Sequence, residues 1–297
     1  MATLKDVKTK ISAVKKTQQI TKAMNMVAAS KLRGAQTSME GFRPYSAKFA
    51  EVLGSLAEKA GEETNPLLDV REEVEKVHLV LCTSDRGLCG GFNNNLITKA
   101  KALKKEKEKQ GIDVVFTTFG KKGRDWCRKN KFEIVGEHVG VVGGRFGFNV
   151  AATSGQKLIR GFLDKAYDEV YIVYSEFVSM ARQVPVLKQV LPILPIAPVE
   201  EAAETEEKSY LAEHICEPSP QELLGELLPK NVYVQLYSAL LETSTSEHAA
   251  RMAAMDNATK ACKDMIENLT LVYNKARQAA ITAELMDIVG GAEALKG

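Results

Sequence analysis

The chain has 297 residues, 45% of them hydrophobic and 26% charged, and its formal net charge is +2. That composition supports one or two ordinary cores, and its near balance of charge gives no global pointer to nucleic acid. No apolar run approaches the roughly 20 residues of a membrane-spanning helix. The start, MATLKDVKTKI, lacks the apolar core of a secretory signal, and its amphipathic pattern runs on into the next segment, so it reads as structure.

The first region runs from Thr3 to about Lys59 and has no Gly or Pro before Gly34. Leu4, Val7, Ile11 and Val14 alternate in steps of three and four, the seam of a coiled coil. Carried on, the register passes through polar Gln18, Thr21 and Asn25, and returns to apolar positions from Ala28 to Leu56. Gly41 and Pro44 are expected to kink or interrupt this helix. Residues 1–36 carry eight Lys or Arg and one acid, Asp6, so the arm is strongly basic. Nucleic acid, an anionic membrane or acidic protein surfaces could each face it. The heptad commits one face to a helix, and no aromatics are interleaved, both of which weigh against nucleic acid.

The middle, about Val74 to Glu217, alternates strand and helix patterns. Val77–Ser84 is a continuous apolar run, as in a strand buried on both faces. Helices are expected at Asn93–Gln110, Lys121–Asn130 and Ala151–Ala166, and strands at Ile112–Phe119 and Glu169–Glu176. Val184–Ile196 contains three prolines and reads as an edge strand or extended segment, and Val199–Lys208 as an exposed acidic loop. The alternation predicts a small, mostly parallel, three-layer α/β domain.

From Lys230 to Val289 there is no Gly or Pro. Such a helix would be about 90 Å long. Ser219-Pro220-Gln221-Glu222 has the chemistry of a helix start, Pro229 is a candidate bend and Gly290-Gly291 a natural stop. The heptad register runs through Val234, Tyr237, Leu241, Ser244, His248, Arg251, Met255, Ala258 and Cys262 to Met265, Leu269, Val272, Ala276, Ala279, Ala283 and Met286. Its middle is polar and its last third rich in Ala. A domain of the middle segment's size is only about 30 Å across, and an isolated helix is marginal in water. The two ends are therefore expected to wind together as an antiparallel coiled coil. Met24, Met26, Val27, Met252 and Ile266 lie off the register, so a further surface should cover them, as a sleeve covers a shaft.

Ser84–Asn93 (SDRGLCGGFN) lies between a strand and a helix, where a phosphate loop would sit, but it has neither GxGxxG nor a GKS/T ending. A tight turn with close-approach glycines is the favoured reading. Gly140–Gly147 reads as a flexible loop. His78, His138, His214 and His248 lack ligand spacing, and Cys82, Cys89, Cys127, Cys216 and Cys262 lack CxxC pairing. The cysteines read as free thiols of a reducing compartment, packed as small hydrophobes. No catalytic constellation, cofactor or metal site is legible, which points to a non-enzyme.

Four segments carry a specific resemblance, in order along the whole chain. Ile20–Arg33 (ITKAMNMVAASKLR), Ser84–Asn93, Ser246–Met252 (SEHAARM) and Leu271–Thr282 (LVYNKARQAAIT) resemble the signatures of the gamma subunits of F-type ATP synthases. The resemblance implies an α/β protein. Its expected layout is a coiled-coil helix over 1–60, a Rossmann-like domain over 74–217 at the foot of a shaft, and a long coiled-coil helix over 218–297. It further implies a non-catalytic rotor without cofactors. Three alpha and three beta subunits would surround it, and the epsilon subunit and membrane c-ring would bind its foot. Proton or sodium flow would turn it at the cytoplasmic face of a bacterial inner membrane, to which it is attached only through the complex. Residue by residue, Lys22 and Met24 match the contact with the acidic lever of beta. Arg277, Gln278, Thr282 and Glu284 match the upper beta contact, and Glu217 a foot position near the ring. His214 and Cys216 stand where relatives often carry aromatics, and Val199–Lys208 lacks the cysteine pair of green-plastid relatives. The reading from a different class is a coiled-coil adaptor whose Rossmann-like domain binds a small ligand.

Overall fold

The computed structural model describes residues 4–60, 65–71, 73–194 and 219–294. The elements, in chain order, are α1 (Leu4–Ala60), β1 (Lys76–Cys82), α2 (Phe92–Lys109), β2 (Asp113–Phe119), α3 (Lys121–Lys129), β3 (Ile134–His138), α4 (Phe148–Leu163), β4 (Glu169–Phe177), β5 (Gln183–Leu191) and α5 (Pro220–Ala294). They form two compact units. One combines Met1–Ala29 with Arg251–Gly297, and the other is Ser30–Ala250.

The larger unit is built on a five-stranded sheet of order β3-β2-β1-β4-β5. The first four strands are parallel, and β5 runs antiparallel to β4. β1 lies at the centre and is buried on both faces, as its unbroken apolar run requires. Its side chains alternate between two cores. Val77, Leu79 and Leu81 pack with Phe116 and with Phe92, Leu96 and Leu103 of α2. Val80 and Cys82 face the other core, with Leu53 and Leu56 of α1, Leu158 and Phe162 of α4, and Leu228, Val232 and Leu236 of α5. Each fully buried Leu or Phe contributes roughly 1.5–3 kcal/mol, so these faces hold the three layers together. Cys82, Cys89 and Cys127 are buried free thiols, and burial raises the pKa of Cys127 to about 12, so they act as small hydrophobes.

Pro185 is tolerated because β5 is an edge strand, where a missing N–H breaks no ladder. β3 was not legible in the sequence. It has five residues, includes Gly136 and is only half-buried, too short and too weakly patterned to register. At the opposite end of the sheet from the C-terminal loops, Asp168 accepts from the backbone N–H groups of Glu75 and Lys76 and from Arg71. Burial works to raise its carboxyl. The hydrogen bonds from Lys76, Arg71 and Glu75, with the Arg71 charge, outweigh burial and hold it below the usual range.

In the smaller unit the helices are antiparallel partners. Thr21 Oγ1 lies 2.8 Å from Thr259 Oγ1, and Asn25 Nδ2 donates to Met252 O at 2.9 Å. The polar stretch of the first seam thus supplies cross-helix hydrogen bonds that fix register. Along α1 every seam position from Leu4 to Leu56 is buried or half-buried. Along α5 the register holds to Cys262, and Leu269 and Ala276 stay half-buried on it beyond that point. The alternate positions shift by one residue: Met265, Val272 and Ala279 are exposed, while Ile266, Tyr273 and Ala280 are half-buried in their place, and Ala283 and Met286 are exposed. A strict seven-residue repeat drifts about 20° per heptad against a straight helix, so some four heptads displace the covered line by about one position.

Two expected interruptions do not occur. α1 continues through Gly41 and Pro44, and α5, which includes Pro229, continues past Gly290-Gly291. Pro44 lies on the exposed face, while Met39 and Leu53 on the buried face hold the helix across it. At the start of α5, Ser219 Oγ accepts from Glu222 N at 3.2 Å, the expected N-cap.

His78 is buried on β1. Its Nε2 lies 2.8 Å from Thr117 Oγ1 and its ring stands edge-on to Tyr167. Burial, with the nearby charge of Lys76, lowers its pKa from 6.5 to about 4. Between these values the unfolded chain binds the proton and the folded chain does not. Stability is therefore complete above pH 6.5 and falls as pH drops toward 4, by about 3 kcal/mol from this residue. Urea unfolding of the chain between pH 7 and 4 is expected to show this slope, and His78→Gln to flatten it.

Candidate functional site

The loop after β1 is held by its own side chains. Asn93 Oδ1 accepts from Ser84 N at 3.0 Å, and Asn93 Nδ2 donates to Ser84 Oγ at 2.8 Å. Asp85 accepts from Lys121 N at 2.9 Å with one oxygen and from Gly140 N at 2.8 Å with the other. One carboxylate thereby joins the loops that follow β1, β2 and β3. Leu88 and Gly90 take left-handed backbone, at φ 64° and 58°. Their conformation turns the chain sharply into α2, as expected for a structural turn.

A doubly wound sheet takes its ligands beyond the carboxyl ends of its strands, where the strand order reverses. The reversal here lies between β1 and β4. The end of β4 is occupied by α5. Thr243 Oγ1 accepts from Ser175 N at 3.3 Å, Ser246 Oγ donates to Ser175 O at 3.2 Å, and Glu242 Oε2 accepts from Phe177 N at 2.8 Å. The helix is polar and fully buried from Glu242 to His248. Burial of Glu242, Thr243, Ser244, Thr245 and Ser246 is tolerable because backbone groups meet their side chains. The same segment also receives the Gly-rich loop. Ser244 Oγ accepts from Gly143 N at 3.1 Å, and Gly143 has φ 75°. This loop is docked on α5 rather than free, which corrects the expectation of a flexible one. These contacts use the place where the adaptor reading needs a ligand, and that reading is not favoured.

Arg43 of α1 completes the arrangement. Its Nε and Nη2 donate to Glu242 Oε1 at 3.0 and 2.8 Å, and Nη2 also donates to Phe177 O at 3.1 Å. Sequence reasoning missed Arg43, Glu242 and Gly143. The polar interruption of the α5 heptad at Ser244 and His248 was the available signal, but the partners are distant in sequence.

Among the histidines, His138 Nε2 lies 3.2 Å from Ser154 Oγ and its ring stacks on Phe119. Burial, with Lys157 nearby, lowers its pKa. Among the described residues no group of three His, Cys, Asp or Glu could hold a metal ion, and no helix is long and apolar enough to cross a membrane.

The residues matched to partner contacts lie on the paired helices. Lys22 is exposed and Met24 half-buried on α1. Arg277, Gln278, Thr282 and Glu284 are exposed on α5, where Thr282 Oγ1 donates to Gln278 O at 2.9 Å. Opposite Lys22 the pairing places residues near 258, so the two groups stand roughly 30 Å apart along α5 at 1.5 Å per residue. They are two separate surfaces. Glu217, with His214, Cys216 and Val199–Lys208, lies outside the described residues.

A family model described as ATP synthase matches residues 3–295. The ATP synthase gamma chain of Desulfosudis oleivorans is 68% identical over 298 residues, covering 100% of both chains. That of Desulforapulum autotrophicum is 63% identical and covers 99% of this chain and 100% of its own. Two solved structures share the fold. The central stalk and c-ring of Tetrahymena thermophila mitochondrial ATP synthase matches with a TM-score of 0.59 and 24% identity, over 80% of this chain and 99% of that one. The rotor of Euglena gracilis mitochondrial ATP synthase matches with a TM-score of 0.65 and 20% identity, over 94% and 98%.

A Cβ at Gly143 would lie 2.1 Å from Glu247 Oε2, in a site where Glu247 is itself buried, and the positive φ strains any other residue. Gly143→Ala is expected to cost about 2–4 kcal/mol, from left-handed backbone and overpacking together. Thermal unfolding of the variant checks this.

Proposed function

The chain belongs to the gamma-chain family of ATP synthases, and on that footing we propose how its two units divide the work of a central rotor stalk. The paired ends of α1 and α5 turn inside a ring of alternating alpha and beta subunits. The sheet unit belongs to the foot, where the epsilon subunit and the c-ring engage it. Ion flow through the ring turns the foot and hence the shaft, which is asymmetric and offers each beta subunit a different face. Differential contacts with three conformations are all that a shift in their populations requires. The chain contributes no catalytic group, takes no cofactor and stays peripheral, at the cytoplasmic face of a bacterial inner membrane.

The carrying observation is the amount of apolar surface left open on the rod. Ile20, Met26 and Val27 on α1, and Leu271, Ile281 and Leu285 on α5, are 49% to 68% exposed. Soluble monomers rarely leave such surface uncovered, and an enclosing sleeve accounts for it. Lys22 and Met24 are assigned to the acidic lever of beta. Arg277, Gln278, Thr282 and Glu284 are assigned to the upper beta contact, and Glu217 to the foot. The exposed lysines of α1, including Lys8, Lys15 and Lys22, suit acidic protein surfaces.

Affinity purification through a tag on this chain is expected to recover alpha and beta subunits, about three copies of each, in the equal numbers that closed alternation around one shaft requires. Recovery without them sinks the reading. Beyond Ala280 the described residues of α5 are exposed throughout, and Ala276 and Ala280 bury little area. Amides of residues 4–20 and 270–290 are therefore expected to exchange quickly in the free chain and slowly in the complex, while Val77–Cys82 stays protected in both. Equal protection of the tips in the free chain would show a self-sufficient rod.

A further inference from the structure

We propose that the Arg43–Glu242 pair is the positioning tie that sets the torsional stiffness between the sheet and the two helices leaving it. The inference rests on the rotor reading and adds to it the residues through which turning force passes.

The two units are covalently joined at only two places, in α1 between Ala29 and Ser30 and in α5 between Ala250 and Arg251. Any torque passing from one unit to the other along the chain is carried by these two helices. Each must therefore be locked to the sheet, and to the other, or it would swivel separately. Apolar packing seats each helix on the core, and hydrogen bonds with charged partners and fixed forks add a specified direction to that seat.

Such bonds converge on one point. Glu242 of α5 accepts from Arg43 of α1 with Oε1 and from the N–H of Phe177 with Oε2. Arg43 closes the triangle by donating to the carbonyl of the same Phe177. The last residue of β4 is thus held through both backbone groups, one by each helix. One helical turn carries further bonds, from Thr243 and Ser246 to Ser175, which secure α5 to the same strand end. Among the described residues α1 has no comparable set of polar bonds there, so Arg43 is its directional tie beside the apolar contacts of Leu53 and Leu56. The Glu242 side chain is 10% exposed and the Arg43 side chain 47%, so the carboxylate is shielded and Arg43 can be truncated without opening a core.

The test uses the assembled complex, immobilised through its alpha and beta ring, with a bead attached through Lys101→Cys on the exposed face of α2. Rotation is arrested with a non-hydrolysable nucleotide and the angular spread of the bead is recorded. Leu53 and Leu56 still seat α1 on the core in Arg43→Ala, so the angular variance is expected to rise, with about a doubling as the limit for losing one of two parallel anchors. Glu242→Gln should widen it too, and Arg43→Lys, which keeps the charge but not the fork, should fall between. Unchanged variance in Arg43→Ala and Glu242→Gln complexes overturns the proposal, even if thermal stability has dropped. Failure of both variants to assemble also overturns it, by assigning the pair to folding. If the unsubstituted chain's bead does not turn with ATP, the rotor reading itself fails, which is a separate result.

Discussion

A long helix must find cover for one face along its whole length, and α5 finds three different kinds. From Pro220 to Ala250 it is covered by the sheet core, with Leu228, Val232, Leu236 and Leu240 fully buried. From Arg251 to Ala280 its cover is α1, and the covered line thins to Ala276 and Ala280. From Ile281 onward the described residues have none within the chain, although Leu285, Met286, Ile288 and Val289 are apolar. Stability is therefore graded along one continuous helix, highest in the sheet unit and lowest at the tip.

The sheet shows how a common topology can serve a purpose other than ligand binding. The strand order is that of a domain that holds a small molecule, although the turn after β1 lacks the phosphate-binding pattern. The carboxyl end of β4, however, is taken by a polar stretch of the chain's own helix. Function lies in the site and not in the fold. Glu242, Thr243, Ser244 and Ser246 can be buried because the N–H and C=O groups of Ser175, Phe177 and Gly143 receive them. Such directional bonds specify one rotational setting and one register of α5 against the sheet, which apolar contacts alone leave loose.

Most of the architecture could be read from the chain because its signals are local. The 4-3 alternation from Leu4 to Val14, the continuous apolar run of Val77–Ser84 and the Ser219 cap each depend on neighbours within a turn or two. α1, β1 and the start of α5 follow directly. Local signals also misled where the outcome depended on distant groups. Gly41 and Pro44 are breakers by propensity, yet α1 continues, because the packing of its other face outweighs their cost of about 1 and about 3 kcal/mol. β3 was missed because an edge strand of five residues, three half-buried and two exposed, needs its partner β2 to exist at all.

The sequence by itself determined that two long helices flank an α/β sheet, and that their apolar residues exceed what two helices can hide. Both follow from residue periodicity. Only the tertiary structure decided which residues bind the helices to the sheet. Arg43 and Glu242 are separated by 199 positions. No spacing rule links them to each other or to Phe177, because side chain and backbone meet there only after α1, β4 and α5 have packed. The slip that brings Ile266, in place of Met265, to the covered line was decided the same way. Pattern gives the period of a helix, but the accumulated phase depends on how far the helix supercoils about its partner.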